Sequence, residues 1–136
     1  MHTTKPALTP ARVLALTLAL VSLMSLANAG DIKPYTQKDF DLLTAAGKPV
    51  VVDVSAPWCP TCKAQKPIVD GLMKQPAYKD VTLLTLDFDS EKPTLAKFKV
   101  NSQSTLVAFK GTQEVGRSVG DTTAEGLEGL IRKTVH

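Results

Sequence analysis

Two cysteines, the only two in the 136-residue chain, lie three positions apart shortly after an apolar, β-branched segment. The segment is residues 50–54 (VVVDV), and Cys59 and Cys62 follow it in the run WCPTC. Because it is apolar on both faces apart from Asp53, the segment is typical of a buried parallel strand. Residues 59–73 then show a helical pattern. The cysteine pair is therefore predicted to lie where a buried strand passes into a helix.

Outside that junction the chain alternates between helical and extended segments, without an internal repeat or a linker that would separate two domains. The predicted order is helix, strand, helix, strand, helix, hairpin, helix. The first two strands are separated by helices and are expected to be parallel, whereas the hairpin adds antiparallel strands. The fold class is therefore an α/β sandwich around a mixed central sheet. The further elements are helices at 36–46, 93–98 and from about 123, a strand at 81–88, and a hairpin of 105–109 with 114–119.

The N-terminal segment has a different composition from the rest of the chain. Residues 1–12 carry two basic residues and no acid, residues 13–26 are apolar and uncharged, and Ala-Asn-Ala ends at Ala29. These three parts predict a secretory signal peptide, residues 1–29, that is cleaved after Ala29 and leaves a domain of residues 30–136. The alternative is an uncleaved membrane anchor, but the 14-residue apolar stretch is shorter than the ~20 residues that a spanning helix needs.

Removal of the leader changes the charge balance, because residues 1–29 contribute +2 of the net charge of +3 and leave +1. A nearly neutral domain offers no electrostatic basis for binding nucleic acid or an anionic membrane surface. The cleaved leader itself predicts a periplasmic protein that is not stably inserted in the membrane, and we expect that protein to be a monomer.

Several roles of the cysteine pair compete. A disulfide that closes so small a ring constrains little of the unfolded chain, which disfavours a structural staple. Zinc needs four ligands, and the chain adds only His2 and His136, whereas covalent haem attachment needs a histidine where Lys63 stands. Redox exchange without a cofactor or metal is the favoured role. A copper(I) chaperone that uses the same two thiolates is the main alternative, and a redox-inert scaffold is a third.

The two cysteines are expected to have different roles in such an exchange. Cys59 begins the predicted helix, where unpaired N–H groups and the helix dipole stabilise a thiolate. We expect Cys59 to be the more exposed, attacking sulfur. Cys62, one turn later, would then attack the mixed disulfide and release the partner.

These residues also resemble a known family. Residues 50–63, followed by Pro67, are similar to the active-site strand and helix of thioredoxins, with Pro67 expected to kink the helix. The resemblance implies a thioredoxin fold and an oxidoreductase that exchanges disulfides with protein cysteines. As an exported relative, it is expected to act as a reductant supplied by a membrane electron donor. The match continues through residues 86–89, 98–100, 105–110 and 119–120.

The resemblance assigns roles to further residues. Asp53 corresponds to a buried acid behind the disulfide, which would have a raised pKa and relay a proton to or from Cys62. The alternative for Asp53 is a carboxyl group that faces water at a strand end. A partner-binding surface is implied at Trp58, Pro60, Ser104 and Thr105, with Trp58 also shielding the disulfide.

Position 104 departs from the family pattern, because thioredoxins have a cis-proline there and this chain has Ser104. A cis bond before a non-proline residue costs roughly 2.5–4 kcal/mol, so we expect a trans bond. The substitution places partner docking in question. It also introduces a hydroxyl near the sulfurs, which could hydrogen-bond a thiolate or admit a metal.

Overall fold

The computed structural model describes residues 29–136, in which a five-stranded sheet carries helices on both faces. The signal-peptide prediction lies outside the described residues, except at Ala29. Within 29–136, no helix is long and apolar enough to cross a bilayer. The strands are β1 (Asp31–Pro34), β2 (Pro49–Ser55), β3 (Thr82–Asp87), β4 (Thr105–Lys110) and β5 (Gln113–Val119), and the helices are α1 (Gln37–Ala45), α2 (Pro60–Met73), α3 (Lys92–Phe98) and α4 (Ala124–Arg132), with a short 3-10 helix at Pro76–Tyr78.

The sheet has the strand order β1-β3-β2-β4-β5. Strands β1 and β2 both pair in parallel with β3, whereas β4 is antiparallel to β2 and to β5. This arrangement confirms the predicted α/β sandwich with a mixed sheet. It places the valine-rich β2 at the centre, and the cysteine pair follows directly from the end of that strand.

The predicted order of elements was incomplete, because it began with α1 and omitted β1. Strand β1 is short, lies at the sheet edge and contains charged Asp31 and Lys33, so its local pattern does not identify a strand. Its extended conformation comes from parallel pairing with β3, in the register of Asp31 with Thr82. The other predicted strands and helices are confirmed, including the hairpin of β4 and β5.

The two faces of β2 pack against different helices. Its even-numbered valines pack with residues of α1 and α3, including Phe40 and Phe98. Val51 packs on the opposite face with residues of α2 and α4, such as Leu72. Because side chains alternate along a strand, Asp53 belongs to the same face as Val51. The alternation therefore directs this carboxyl group toward the layer that contains α2 and the cysteines.

Local signals determine where the helices begin. The Asp39 N–H donates to Thr36 Oγ1 at 3.0 Å, which caps α1 at its predicted start. Helix α2 begins at Pro60, whose missing N–H is harmless in a first turn. The helix continues through Pro67 as far as Met73, although Pro67 provides no N–H for the preceding turn.

Candidate active site

The cysteine pair lies at the N-terminus of α2 and is joined in a disulfide. Cys59 is the N-cap residue, and its Sγ accepts a hydrogen bond from the Cys62 N–H at 3.2 Å. The Cα atoms of the two cysteines are 5.3 Å apart, within the usual range for a disulfide. The Cys62 N–H and the positive end of the helix dipole therefore both act on Cys59 Sγ, which favours a thiolate there.

The expectation that Cys59 is the more exposed cysteine was wrong. Cys59 is 1% exposed, whereas Cys62 is 8% exposed, in this disulfide form. Cys59 is covered because its side chain folds back over the first turn of α2 and meets Ser104 from the loop before β4. Ala56 and Phe88 pack against the same pair. Its assignment as the attacking sulfur therefore rests on its electrostatic position and not on exposure.

Ser104 is buried, with 3% exposure, directly against the disulfide. Its hydroxyl oxygen lies 3.1 Å from the Sγ atoms of both Cys59 and Cys62. The peptide bond before Ser104 is trans, as expected, and the residue has a positive φ of 60°. Its carbonyl oxygen accepts from Gln65 Nε2 at 3.3 Å and from the Gly120 N–H at 2.9 Å. These contacts fix the backbone that presents the hydroxyl to the sulfurs.

Asp53 lies in a cleft of about 540 Å³ that also reaches Cys62. Burial raises the pKa of the Asp53 carboxyl from its ordinary 3.8 to about 6, because it disfavours the charged form. Lys66 lowers the pKa by a smaller amount and Asp70 raises it. The carboxyl therefore does not sit freely in water at a strand end. The cleft connects this carboxyl group with Cys62.

The other predicted binding residues differ in their accessibility. Trp58 is 56% exposed, and its Nε1 donates to Asp89 Oδ2 at 2.7 Å. Pro60 is also exposed at the start of α2. Thr105 is instead buried in the sheet, and its hydroxyl donates to the Ser102 carbonyl oxygen at 2.8 Å. An exposed aromatic surface thus borders the disulfide on one side, while Thr105 supports the loop on the other.

Two residues at this site were missed from the sequence. Gln65 is 3% exposed, and its Nε2 donates to the carbonyl oxygens of Ser104 and Asp121, the latter at 2.7 Å. Asp89 fixes the indole ring of Trp58. A signal for Gln65 existed, because it follows Cys62 by three positions and therefore shares its helix face. Asp89 gave no comparable local signal.

The described residues bring together a disulfide, a buried hydroxyl and a partly buried carboxyl group. Within 29–136, no group of three His, Cys, Asp or Glu side chains is placed to hold a metal ion. The arrangement is suited to thiol–disulfide exchange, because one sulfur lies at a helix N-terminus and the second lies within bonding reach.

Comparison with known proteins agrees with this chemistry. The family model described as "Thioredoxin" matches residues 31–133. A thioredoxin of Chlamydia muridarum is 40% identical over 102 residues, which is 75% of this chain and 97% of that protein. A thioredoxin of Mycobacterium tuberculosis is 38% identical over 89 residues, which is 65% of this chain and 73% of its own length.

Solved structures show the same fold. The crystal structure of Trxlp from Edwardsiella tarda aligns with a TM-score of 0.73 and 40% identity, and covers 74% of this chain and 98% of its own. Thioredoxin from Malassezia sympodialis has a TM-score of 0.71 at 23% identity, with coverage of 82% and 96%. These likenesses lend no support to the copper(I)-chaperone alternative. The protein is a thiol–disulfide oxidoreductase that uses the Cys59–Cys62 pair, and the chain belongs to the thioredoxin family.

Proposed function

We propose that the protein is exported to the periplasm and there reduces disulfide bonds of other proteins. The observation that carries this proposal is the leader-like segment 1–29 ahead of the exchange domain. The family match begins at residue 31, just after the predicted cleavage position at Ala29. A removable signal followed by an exchange domain accounts for both features.

The reaction begins with the Cys59 thiolate, which attacks one sulfur of a partner disulfide. A Cys59–partner disulfide forms, the partner's S–S bond breaks, and the second partner sulfur leaves as a thiolate that takes up a proton. Cys62 then loses its proton and attacks Cys59 Sγ. The Cys59–Cys62 disulfide forms, the mixed disulfide breaks, and the partner's first sulfur leaves and is protonated. Two electrons have then passed from the cysteine pair to the partner.

Asp53 is the proposed acceptor of the Cys62 proton. The two side chains line the same cleft, so water in the cleft can carry a proton between them. With a pKa of about 6, the carboxyl is mostly ionised at neutral pH while remaining a stronger base than an ordinary aspartate. It can therefore take up the proton and return it to solvent through the cleft.

The partner chain is proposed to dock beside Cys59. Trp58 and Pro60 offer exposed apolar surface on one side of the disulfide. On the opposite side, Ser104 and Thr105 are buried and support the loop that enters β4. Since one chain supplies both cysteines and the bordering surface, we propose that the protein acts as a monomer.

An exported reductant also needs a source of electrons. Each turnover leaves the Cys59–Cys62 disulfide, and compartments outside the cytoplasm do not maintain a reducing thiol pool. We therefore propose a membrane protein as electron donor, one that reduces this disulfide by a second exchange reaction.

Export is tested by expressing the full chain in bacterial cells, separating the periplasm and measuring the mass of the protein there. We expect a periplasmic species that begins at Gly30. Replacing Ala29 by Arg should block cleavage, because the peptidase site requires a small residue. Unprocessed wild-type protein confined to the cytoplasm would reject the proposed location.

The direction of exchange is tested by equilibrating the processed protein with reduced and oxidised glutathione. A strongly reducing potential is expected, and a strongly oxidising one would overturn the reductant role. In cells, Cys62→Ala should accumulate mixed disulfides through Cys59, since the resolving thiol is gone. Cys59→Ala is the matched control and should trap none of these partners.

A further inference from the structure

Ser104 provides a hydrogen-bonding group at a position where a proline could not. Its hydroxyl lies 3.1 Å from each sulfur of the pair. Neither sulfur carries a proton in the disulfide, so the hydroxyl must be the donor in both contacts. A hydroxyl has only one hydrogen to donate, and it is therefore shared between two weak acceptors in the oxidised protein.

Reduction changes what these two sulfurs can do. A thiolate at Cys59 is a charged and much stronger acceptor than a disulfide sulfur, whereas the Cys62 thiol becomes a donor. The Ser104 hydroxyl can then donate to Cys59 Sγ while its oxygen accepts from the Cys62 S–H. A continuous chain of hydrogen bonds would run from the Cys62 thiol through Ser104 to the Cys59 thiolate.

We propose that Ser104 is a positioning residue that selects Cys59 as the thiolate of the reduced pair by donating its hydroxyl hydrogen to Cys59 Sγ. With this bond, Cys59 Sγ receives two donors, the second being the Cys62 N–H at 3.2 Å. Cys62 Sγ keeps its own proton in the same arrangement. The asymmetry identifies Cys59 as the nucleophile even though Cys62 is the more exposed residue.

The backbone around Ser104 holds the hydroxyl in place. Gln65 of α2 and the Gly120 N–H both donate to the Ser104 carbonyl oxygen. Gln65 also binds the carbonyl oxygen of Asp121, so one buried side chain links the helix to two loops. Ser104 retains a positive φ of 60°, a conformation that serine rarely adopts. The loop is therefore held so that the hydroxyl faces the sulfurs.

Other charged groups also act on the thiols and must stay constant in a test. Five charged residues line the cleft beside Cys62, and a sixth accepts a hydrogen bond from the ring of Trp58. Asp121 is joined to Gln65 through its carbonyl oxygen. Because none of these groups is altered by a change at position 104, a difference between variants reports the hydroxyl itself. The groups are Asp53, Lys63, Lys66, Asp70, Asp87 and Asp89.

The test compares Ser104→Ala with Ser102→Ala, a matched loss of a hydroxyl in the same loop. The pKa of Cys59 is measured in the reduced protein from the pH dependence of thiolate absorbance and of alkylation, with the alkylated cysteine identified by mass spectrometry. We expect Ser104→Ala to raise the pKa of Cys59 by about one unit. At a pH below the Cys59 pKa of both wild type and variant, the thiolate fraction would then be about tenfold lower in the variant. Ser102→Ala should leave the pKa of Cys59 unchanged, because its hydroxyl makes no hydrogen bond to either sulfur.

Equal pKa values in wild type and Ser104→Ala would overturn the proposal, as would the same rise in Ser102→Ala as in Ser104→Ala. If Ser104→Ala does not fold, Ser104→Gly removes the hydroxyl while relieving the positive φ, and the same rise is expected.

The equilibrium with glutathione gives a second readout. Because the hydroxyl stabilises the reduced form, its loss should shift the equilibrium toward the disulfide by up to about tenfold, or about 30 mV more reducing. An unchanged equilibrium in Ser104→Ala would contradict the proposal. Neither readout uses a protein partner or depends on export, so this inference and the proposed function can fail separately.

Discussion

Asp53 affects stability as well as chemistry, because its carboxyl is ionised at neutral pH inside the α2 layer. In the unfolded chain it loses its proton near its ordinary pKa of 3.8, and in the folded protein only near pH 6. Between these values the unfolded state binds fewer protons, so the free energy of unfolding falls as pH rises. Above pH 6 the full penalty of the buried charge is present.

Asp53→Asn should therefore stabilise the oxidised protein at pH 7–8 by up to about 2 kcal/mol, since the partly buried charge is gone but a partly buried amide remains. The gain should disappear below pH 4. Urea unfolding across this pH range measures it, with the exposed Asp80→Asn as the control. A gain that is independent of pH, or equal in both variants, would contradict the assignment.

The residues of the site differ in how far the sequence could predict them. The positions of Cys59 and Asp53 followed from a valine run and a helix start, which are local patterns. The exposure of Cys59 was predicted wrongly, because Ser104, which covers it, is 45 positions away. The contact of Trp58 with Asp89 spans 31 positions. Contacts of this length depend on how the elements pack and carry no local signature.

At the scale of elements, hydrophobic periodicity and helix-capping residues were sufficient to predict a helix or strand whose own composition favours that structure. The central strand β2 and the amphipathic α4 are of this kind. Strand β1 is not, because pairing with β3 supplies what its sequence lacks. The end of α3 shows a third situation, in which geometry conflicts with residue type.

Helix α3 ends at Phe98, and its C-cap residue Lys99 has the left-handed conformation, with φ 53°. A Cβ atom disfavours this conformation. The Lys99→Gly variant should therefore have a free energy of unfolding about 1 kcal/mol higher than that of the Lys99→Ala variant. Lys97, an exposed residue within α3, provides the control pair. There the order should reverse, because glycine is the weaker helix former by about 1 kcal/mol. Urea unfolding of the four variants decides it, and the same order at both positions would refute the argument.

At the scale of the whole molecule, the sheet separates two apolar layers, and the reactive pair lies at one end of the layer that contains α2. The central strand leads into Cys59, α2 carries Cys62 and Gln65, and the loop before β4 brings Ser104 across. Chain segments far apart in sequence must therefore pack correctly before the site exists. The N-terminal entry of the chain into the domain is part of that packing.

Gly30, the first residue after the predicted cleavage position, enters the domain through a tight contact. Its N–H donates to the Met73 carbonyl oxygen at the end of α2, at 2.7 Å. A Cβ atom at position 30 would lie 2.6 Å from Met73 Cε, 2.7 Å from the Tyr78 carbonyl oxygen and 2.8 Å from that of Val81. Two of these three atoms are backbone and cannot rotate away.

Gly30→Ala should therefore destabilise the domain by about 2 kcal/mol, within the range for overpacking a rigid site. The same substitution at Gly129, within α4, meets no atom within 4 Å. There it should stabilise by up to about 1 kcal/mol, because alanine favours the helix. A lower urea midpoint in Gly30→Ala and a higher one in Gly129→Ala would show that residue 30 is tightly packed where α2, the 3-10 helix and β3 converge. If the midpoint shifts in the same direction in both variants, the tight packing at residue 30 does not stabilise the domain, and β1 is held by its pairing with β3 alone.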